Sequence, residues 1–163
     1  MNLDYNEEQV MLREQIQKFC ESEYDFYKRE DIVKSKDDFD VNVWQLFADQ
    51  GWLSMPFSEE SGGLGFGAIE LSILFEEFGK ALVIEPYLST VVLSGTMLDR
   101  SNFADKNELI SKICAGEMHI SFAYAEVNKT YDYSSVNTTL DSSNVLNGTK
   151  TLVLNGSNAH KLI

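Results

Sequence analysis

The sequence predicts a mainly α chain, a helical domain followed by the first strands of a β-barrel-like domain. Three observations carry that expectation. Apolar residues recur with a period near that of an α-helix up to Gly116, and from Ile120 the period becomes that of a strand. Capping residues and glycines punctuate the helical stretches. Of the 163 residues 44% are apolar and 12% aromatic, enough for a packed core and too much for a disordered chain.

The elements follow in order. Asn6 can cap a helix with Gln9 reaching back, ahead of an apolar stripe at Leu12, Ile16, Phe19 and Cys20. Residues 24–34 continue with mixed character. The acidic run Asp37, Asp38 and Asp40 lacks the spacing and the terminal glutamate of an EF-hand. One of its members stands where an N-cap belongs, before Trp44, Phe47 and Ala48, and Gly51 closes that helix. Gly62, Gly63, Gly65 and Gly67 lack the preceding strand and the spacing of a phosphate loop, so they read as a turn between helices. The next helix, over residues 68–80, carries Leu71, Leu74, Phe75 and Phe78 with Ile69 and Ile73 beside them, which predicts deep burial. Pro86 suits the first turn of a helix that keeps its period through Leu88, Val91, Val92, Gly95 and Leu98. Asp105 and Glu108 predict a second capping box ahead of Leu109, Ile110, Ile113 and Cys114, with Gly116 as the stop.

Beyond Gly116, Ile120, Phe122 and Tyr124 alternate with Ser121, Ala123 and Ala125, a strand with one bulky and one small face. Residues 136–140 and 145–147 predict two strands joined by a polar turn at 141–144, and 151–154 a fourth. Residues 159–163 turn apolar again, as a strand would begin. The expected domains are residues 1–117 and 118–163. Four short strands cannot close a barrel, so the second is expected to be truncated and the sequence a fragment.

Charge narrows the partners. The net charge of −13 and the lack of a basic patch argue against nucleic acid and membrane surfaces. No apolar stretch reaches bilayer length and the N-terminus is acidic, so a cytoplasmic protein is expected. Cys20 and Cys114 lie far apart without CxxC spacing and are expected to be reduced core residues. His119 and His160 have no paired ligands; they read as surface histidines, and no metal site is expected.

The succession of helices around a glycine-rich turn, then Phe122-Ala123-Tyr124-Ala125-Glu126, then Leu146-Asn147-Gly148-Thr149-Lys150 and Asn155-Gly156, resembles the N-terminal part of the acyl-CoA dehydrogenase family. The resemblance covers essentially the whole chain. Residues 78–90 (FGKALVIEPYLST), and Tyr131-Asp132 following Ala125-Glu126, look most like the small subunit of pimeloyl-CoA dehydrogenase type enzymes. What this implies is an incomplete acyl-CoA dehydrogenase fold, FAD as cofactor, and an acyl-CoA substrate dehydrogenated to a trans-2-enoyl-CoA. It also implies a homo- or hetero-oligomer with another subunit of the family. In that family a glutamate of the C-terminal domain removes the α-proton while the β-hydrogen leaves as hydride to the flavin. That domain lies outside these residues, so no catalytic residue is assigned and the fragment alone is expected to be inactive.

The implied cofactor-binding positions are Phe122, Tyr124, Ala125, Glu126, Leu152 and Leu154. Ala125 stands where the family carries a threonine, Leu152 where it carries a tryptophan over the flavin face, and Leu154 where it carries a second hydroxyl. The family's Pro and Gly-Ser-Asp have become Val127, Asn128, Lys129, Thr130, Tyr131 and Asp132. Backbone amides of 122–126 remain able to bond a flavin, since they do not depend on side-chain identity. By residue type alone Phe122 and Tyr124 suit an ordinary sheet core better than a cofactor role, and Leu152 and Leu154 more so. The alternative function is a non-catalytic structural subunit of a heteromeric acyl-CoA dehydrogenase that has lost its flavin contacts.

Overall fold

The structure, a computed structural model, describes residues 4–35, 39–127 and 136–163. Asp37 and Asp38 of the acidic run lie outside the described residues. Among the described residues six α-helices form the first part: α1 (Glu7–Glu23), α2 (Phe26–Lys34), α3 (Val41–Asp49), α4 (Ala68–Ala81), α5 (Thr96–Asp99) and α6 (Lys106–Cys114). Two 3₁₀ turns, Trp52–Ser54 and Glu59–Ser61, precede α4, and a π-helical segment, Leu88–Gly95, runs straight into α5.

Local chemistry sets most of these boundaries. At α1 the Gln9 amide donates to Asn6 Oδ1 at 2.8 Å and the Asn6 amide to Gln9 Oε1 at 3.1 Å, the reciprocal capping box. Asp25 caps α2 and Asp40 caps α3, each carboxylate accepting from a first-turn amide. Gly51 and Gly116 stop α3 and α6 at φ +77° and +78°, backbone that a Cβ disfavours. Asp105 departs from expectation. It precedes α6 but its side chain makes no capping bond, because its φ of −93° and ψ of +14° are not the extended backbone a capping side chain needs.

The core is aromatic. Phe47 stacks on Phe78 at 4.8 Å between ring centres and meets Phe19, Trp44 and Trp52 at 5.7, 6.1 and 5.5 Å. These rings tie α1, α3, α4 and the first 3₁₀ turn into one cluster. The stripe on α4 is narrower than its composition suggests. Ile73, Leu74 and Phe78 are buried, whereas Ile69 and Phe75 are exposed, since α1 packs along one side of α4. Along that contact Gln9 Nε2 donates to Glu70 at 2.7 Å, and Arg13 pairs with Glu76 and the buried Glu77 at 2.9 and 2.8 Å. Pro86 lies ahead of the π-helical segment, its carbonyl accepting from the Thr90 amide at 2.9 Å. Val91 and Leu98 are buried as their period requires, and Leu88 is exposed. Cys20 and Cys114 are free thiols, half-buried at the edge of the core. Burial, with a smaller contribution from Glu77, pushes the Cys20 thiol up to about 11, away from reactivity at neutral pH.

The strands are two residues each: β1 (Ile120–Ser121), β2 (Thr139–Leu140), β3 (Leu146–Asn147) and β4 (Lys161–Leu162). β2 and β3 pair antiparallel across a turn in which Asp141 Oδ1 accepts from the amides of Ser143 and Val145. β1 pairs parallel with β4, Ile120 opposite Lys161. Residues 151–154 are not a strand. Leu152 and Asn155 have φ of +52° and +55°, which turns the chain out of the extended conformation that a ladder needs.

His119 is buried rather than superficial, because Phe39 and Trp44 close over it at ring distances of 4.8 and 5.0 Å. His160 stacks on its other side at 5.4 Å, and its Nδ1 accepts from the His119 amide at 3.0 Å. The pair thus fastens the β1–β4 ladder to the helical core. Burial, and secondarily His160, lowers the His119 pKa to about 4. The unfolded chain therefore takes up this proton first as pH falls. His119 contributes fully above pH 6.5, and its contribution is lost progressively from 6.5 down to 4. A loss on the order of 2 kcal/mol over that window is expected, after allowance for solvent screening. Urea denaturation at a series of pH values should show a wild-type slope that His119→Phe flattens; parallel curves would refute the assignment.

Candidate functional site

The segment that leaves β1 is tied to residues remote in sequence. The Thr151 amide donates to the Ala125 carbonyl at 2.9 Å, and Lys150 Nζ lies 3.4 Å from the Tyr124 carbonyl. Residues 124–126 therefore face 150–151. The ladder on the other side continues past β1, with the Ala123 amide donating to the Ile163 carbonyl at 2.7 Å.

Glu126 is the centre of this arrangement. Its Oε1 accepts from the Thr138 hydroxyl at 2.7 Å, from the Thr138 amide at 3.0 Å and from Lys150 Nζ at 3.0 Å. Its Oε2 accepts from the Asn137 amide at 2.7 Å. One buried carboxylate thus joins 126, 137–138 and 150, and four donors compensate its removal from water. The Thr138 hydroxyl, then the Asn137 amide and Lys150, hold its carboxyl down at about 2, so it stays ionised across the ordinary pH range.

The other predicted positions separate into two groups. Ala125 is buried, Phe122 half-buried and Tyr124 39% exposed, and the rings of Phe122 and Tyr124 lie 5.2 Å apart. The two rings that follow β1 are thus not closed into a core among the described residues. Leu152 and Leu154 are 78% and 52% exposed, on the loop that follows Thr151. The structure brings Tyr124, Ala125 and Glu126 together with Lys150 and Thr151. It leaves Leu152 and Leu154 turned toward solvent. Of Val127, Asn128, Lys129, Thr130, Tyr131 and Asp132, the last five lie outside the described residues.

Whether these residues suit a flavin is a question of donors. No described residue accepts a hydrogen bond from the amide of Ala125 or of Glu126. Two adjacent N–H groups on a partly covered segment match the acceptor-rich pyrimidine edge of a flavin. Ala125, Leu152 and Leu154 supply no side-chain hydroxyl of their own. The fit is through the backbone. Lys150 was missed in reading the sequence, although Glu126 and Lys150 close and open the two segments there assigned to the cofactor. Their opposite charge was the available signal.

Among the described residues no group of three or more histidine, cysteine, aspartate or glutamate side chains is arranged to hold a metal. No described helix is long and apolar enough to cross a membrane.

Comparison with known proteins extends this picture. Residues 6–117 match the family described as acyl-CoA dehydrogenase, N-terminal domain. The chain is 27% identical over 169 residues to the probable acyl-CoA dehydrogenase YngJ of Bacillus subtilis, an alignment covering 100% of this chain and 44% of that protein. It is 31% identical over 94 residues to acyl-CoA dehydrogenase IpdE2 of Mycolicibacterium smegmatis, covering 57% of this chain and 30% of that one. The chain thus spans less than half the length of these curated relatives. Among solved structures, the ChsE4-ChsE5 complex from Mycobacterium tuberculosis superposes with a TM-score of 0.82 at 24% identity, covering 99% of this chain and 44% of that one. The FAD complex of PigA superposes with 0.84 at 18% identity, covering 98% and 43%. These two likenesses show a shared fold. With the match over its helical part, they establish that the chain belongs to the acyl-CoA dehydrogenase family.

Proposed function

We propose that these residues are part of an FAD-dependent acyl-CoA dehydrogenase subunit, which converts an acyl-CoA thioester to a trans-2-enoyl-CoA. In this reading residues 1–117 are its helical domain and 118 onward the beginning of its β-domain. The observation that carries it is the apposition of 124–126 with 150–151, which leaves the amides of Ala125 and Glu126 without an acceptor among the described residues. Those amides would hold the flavin by hydrogen bonds, and Phe122, Tyr124, Leu152 and Leu154 would offer it apolar surface. When bound, the flavin supplies the hydride acceptor. The residues of this chain orient it and exclude water from one side. The acid–base chemistry on the acyl group belongs to residues outside this chain. The 163 residues alone are accordingly expected to hold FAD weakly and to leave acyl-CoA unoxidised.

A second reading is favoured by Ala125, Leu152 and Leu154, none of which can offer a hydroxyl or an aromatic face. It is a non-catalytic subunit that supports an intact partner in a heteromer. The ChsE4-ChsE5 structure is a complex of two differently named chains, and a chain of it shares this fold. The absorbance spectrum of the protein, purified with and without the partner subunit it co-purifies with, tests both. One flavin for every chain supports the first reading, and flavin on partner chains alone supports the second. A flavin-free, inactive assembly overturns both. Ala125→Thr should tighten flavin binding by roughly fivefold, the equivalent of one added hydrogen bond of about 1 kcal/mol. No change in the titration would mean that the flavin does not lie along this segment.

A further inference from the structure

We infer that Lys150 is a positioning residue for the flavin: its ammonium, anchored by Glu126, holds the Tyr124 carbonyl and thereby sets the direction in which the neighbouring amides point. The inference rests on the flavin reading above and concerns how that site is kept in shape. In a trans peptide the N–H points opposite to the C=O of the preceding residue. The Tyr124 carbonyl, turned toward Lys150, therefore sends the Ala125 N–H to the far side. The Ala125 carbonyl, taken by the Thr151 amide, does the same for the Glu126 N–H. Neither of these amides has an acceptor among the described residues.

Short strands cannot hold this geometry by themselves. β1 ends at Ser121 and no described strand covers 122–126 or 148–156, so the apposition depends on single contacts. The Lys150–Glu126 pair is the one with charge on both sides. Glu126 is buried, and its other bonds fix it to the backbone of Asn137 and Thr138. Lys150 is thus held to a rigid anion instead of wandering as a solvated surface lysine, and a 24% exposed side chain is screened less than a surface pair. Removing the ammonium leaves a buried carboxylate short of one donor and takes the Lys150 contact away from the Tyr124 carbonyl.

Lys150→Met keeps the length of the side chain and removes the charge; Lys150→Arg restores it. The protein with its co-purifying partner is measured in two ways, by amide hydrogen exchange at Thr151 in the flavin-free state and by titration with FAD. In Lys150→Met, exchange at Thr151 should quicken by about tenfold or more and FAD affinity fall by a similar factor, as expected for loss of a charge-assisted bond. The reduction potential of the bound flavin should also shift. Lys150→Arg should recover most of each change. Melting of the helical core should be the same in all three proteins, which a general loss of stability would not allow. If the methionine variant is insoluble, Glu126→Gln replaces it and should act in the same direction. Unaltered Thr151 exchange overturns the inference by itself, as does equal FAD affinity in wild type and variant. Wild-type protein that takes up no FAD at all would instead overturn the functional reading, a result separable from the exchange measurement.

Discussion

Phe47→Ala should cost about 3–5 kcal/mol, the range for deleting a fully buried ring. Phe47 has no exposed surface and touches four other rings, each from a different part of the chain: Phe19 on α1, Trp44 one turn earlier, Trp52 in the 3₁₀ turn and Phe78 on α4. The lost area is only part of the cost. Rigid rings on all sides cannot collapse into the space, so a cavity remains and adds to the transfer term. Against a total stability of about 5–15 kcal/mol, this is enough to leave a substantial unfolded population. Calorimetry should show a melting temperature lower by roughly 6–20 °C for a domain of this size. Phe47→Leu, which keeps most of the volume, should lose far less. Equal losses for the two variants would mean that the cluster tolerates a hole, contrary to its packing.

Gly63→Ala should be nearly as damaging, and by a different route. A Cβ built at Gly63 would lie 2.2 Å from the Phe57 carbonyl oxygen and 2.5 Å from its carbon, so backbone would have to move. That backbone is stitched to the glycine-rich turn on both sides of the clash. The Gly63 amide donates to the Ser58 carbonyl at 2.9 Å, Leu64 to Ser54 at 3.0 Å, Gly65 to Phe57 and Phe66 to Met55, both at 2.8 Å. Asp99, at the end of α5, additionally accepts from the amide of Ser58 and from both serine hydroxyls of this turn. Breaking two or three such bonds in a partly buried turn is worth about 3 kcal/mol. Gly62 is the control. Its φ of +85° disfavours a side chain, yet nothing lies within 4 Å of its Cβ position, so Gly62→Ala should lose only about 1 kcal/mol. Chemical denaturation of the two variants side by side decides the matter, and similar values would show that backbone strain rather than close approach shapes the turn.

The helical part was legible in the sequence because its punctuation is local. Asn6 with Gln9, Asp40 ahead of α3, and Gly51 and Gly116 at helix ends act through bonds and backbone angles within a few residues. The same reasoning failed at Asp105, where the chain arrives with angles that turn the carboxylate away from the amides it would cap. It failed again at 151–154, whose strand-forming residues are overruled by a left-handed Leu152. The burial of His119 was illegible because Phe39 and Trp44, about eighty residues earlier, create it. At the candidate site the backbone of 122–126 was legible as a stretch able to face a cofactor. The partners of Glu126 were not, since Asn137, Thr138 and Lys150 meet it only through tertiary folding.

The parallel pairing of Ile120 with Lys161 also has a consequence for synthesis. Its two sides are separated by some forty residues, which at 5–20 residues per second leave the ribosome roughly 2–8 s apart. Through that interval β1 has emerged with nothing to pair with. The aromatic cluster is already complete by Tyr87, so the nascent helices can bury their rings first and hold the stub of β1 beside the π-helical segment against which it packs. The first-made half of the chain therefore serves as the template on which the later strand docks, protecting an otherwise naked edge from meeting a neighbouring chain.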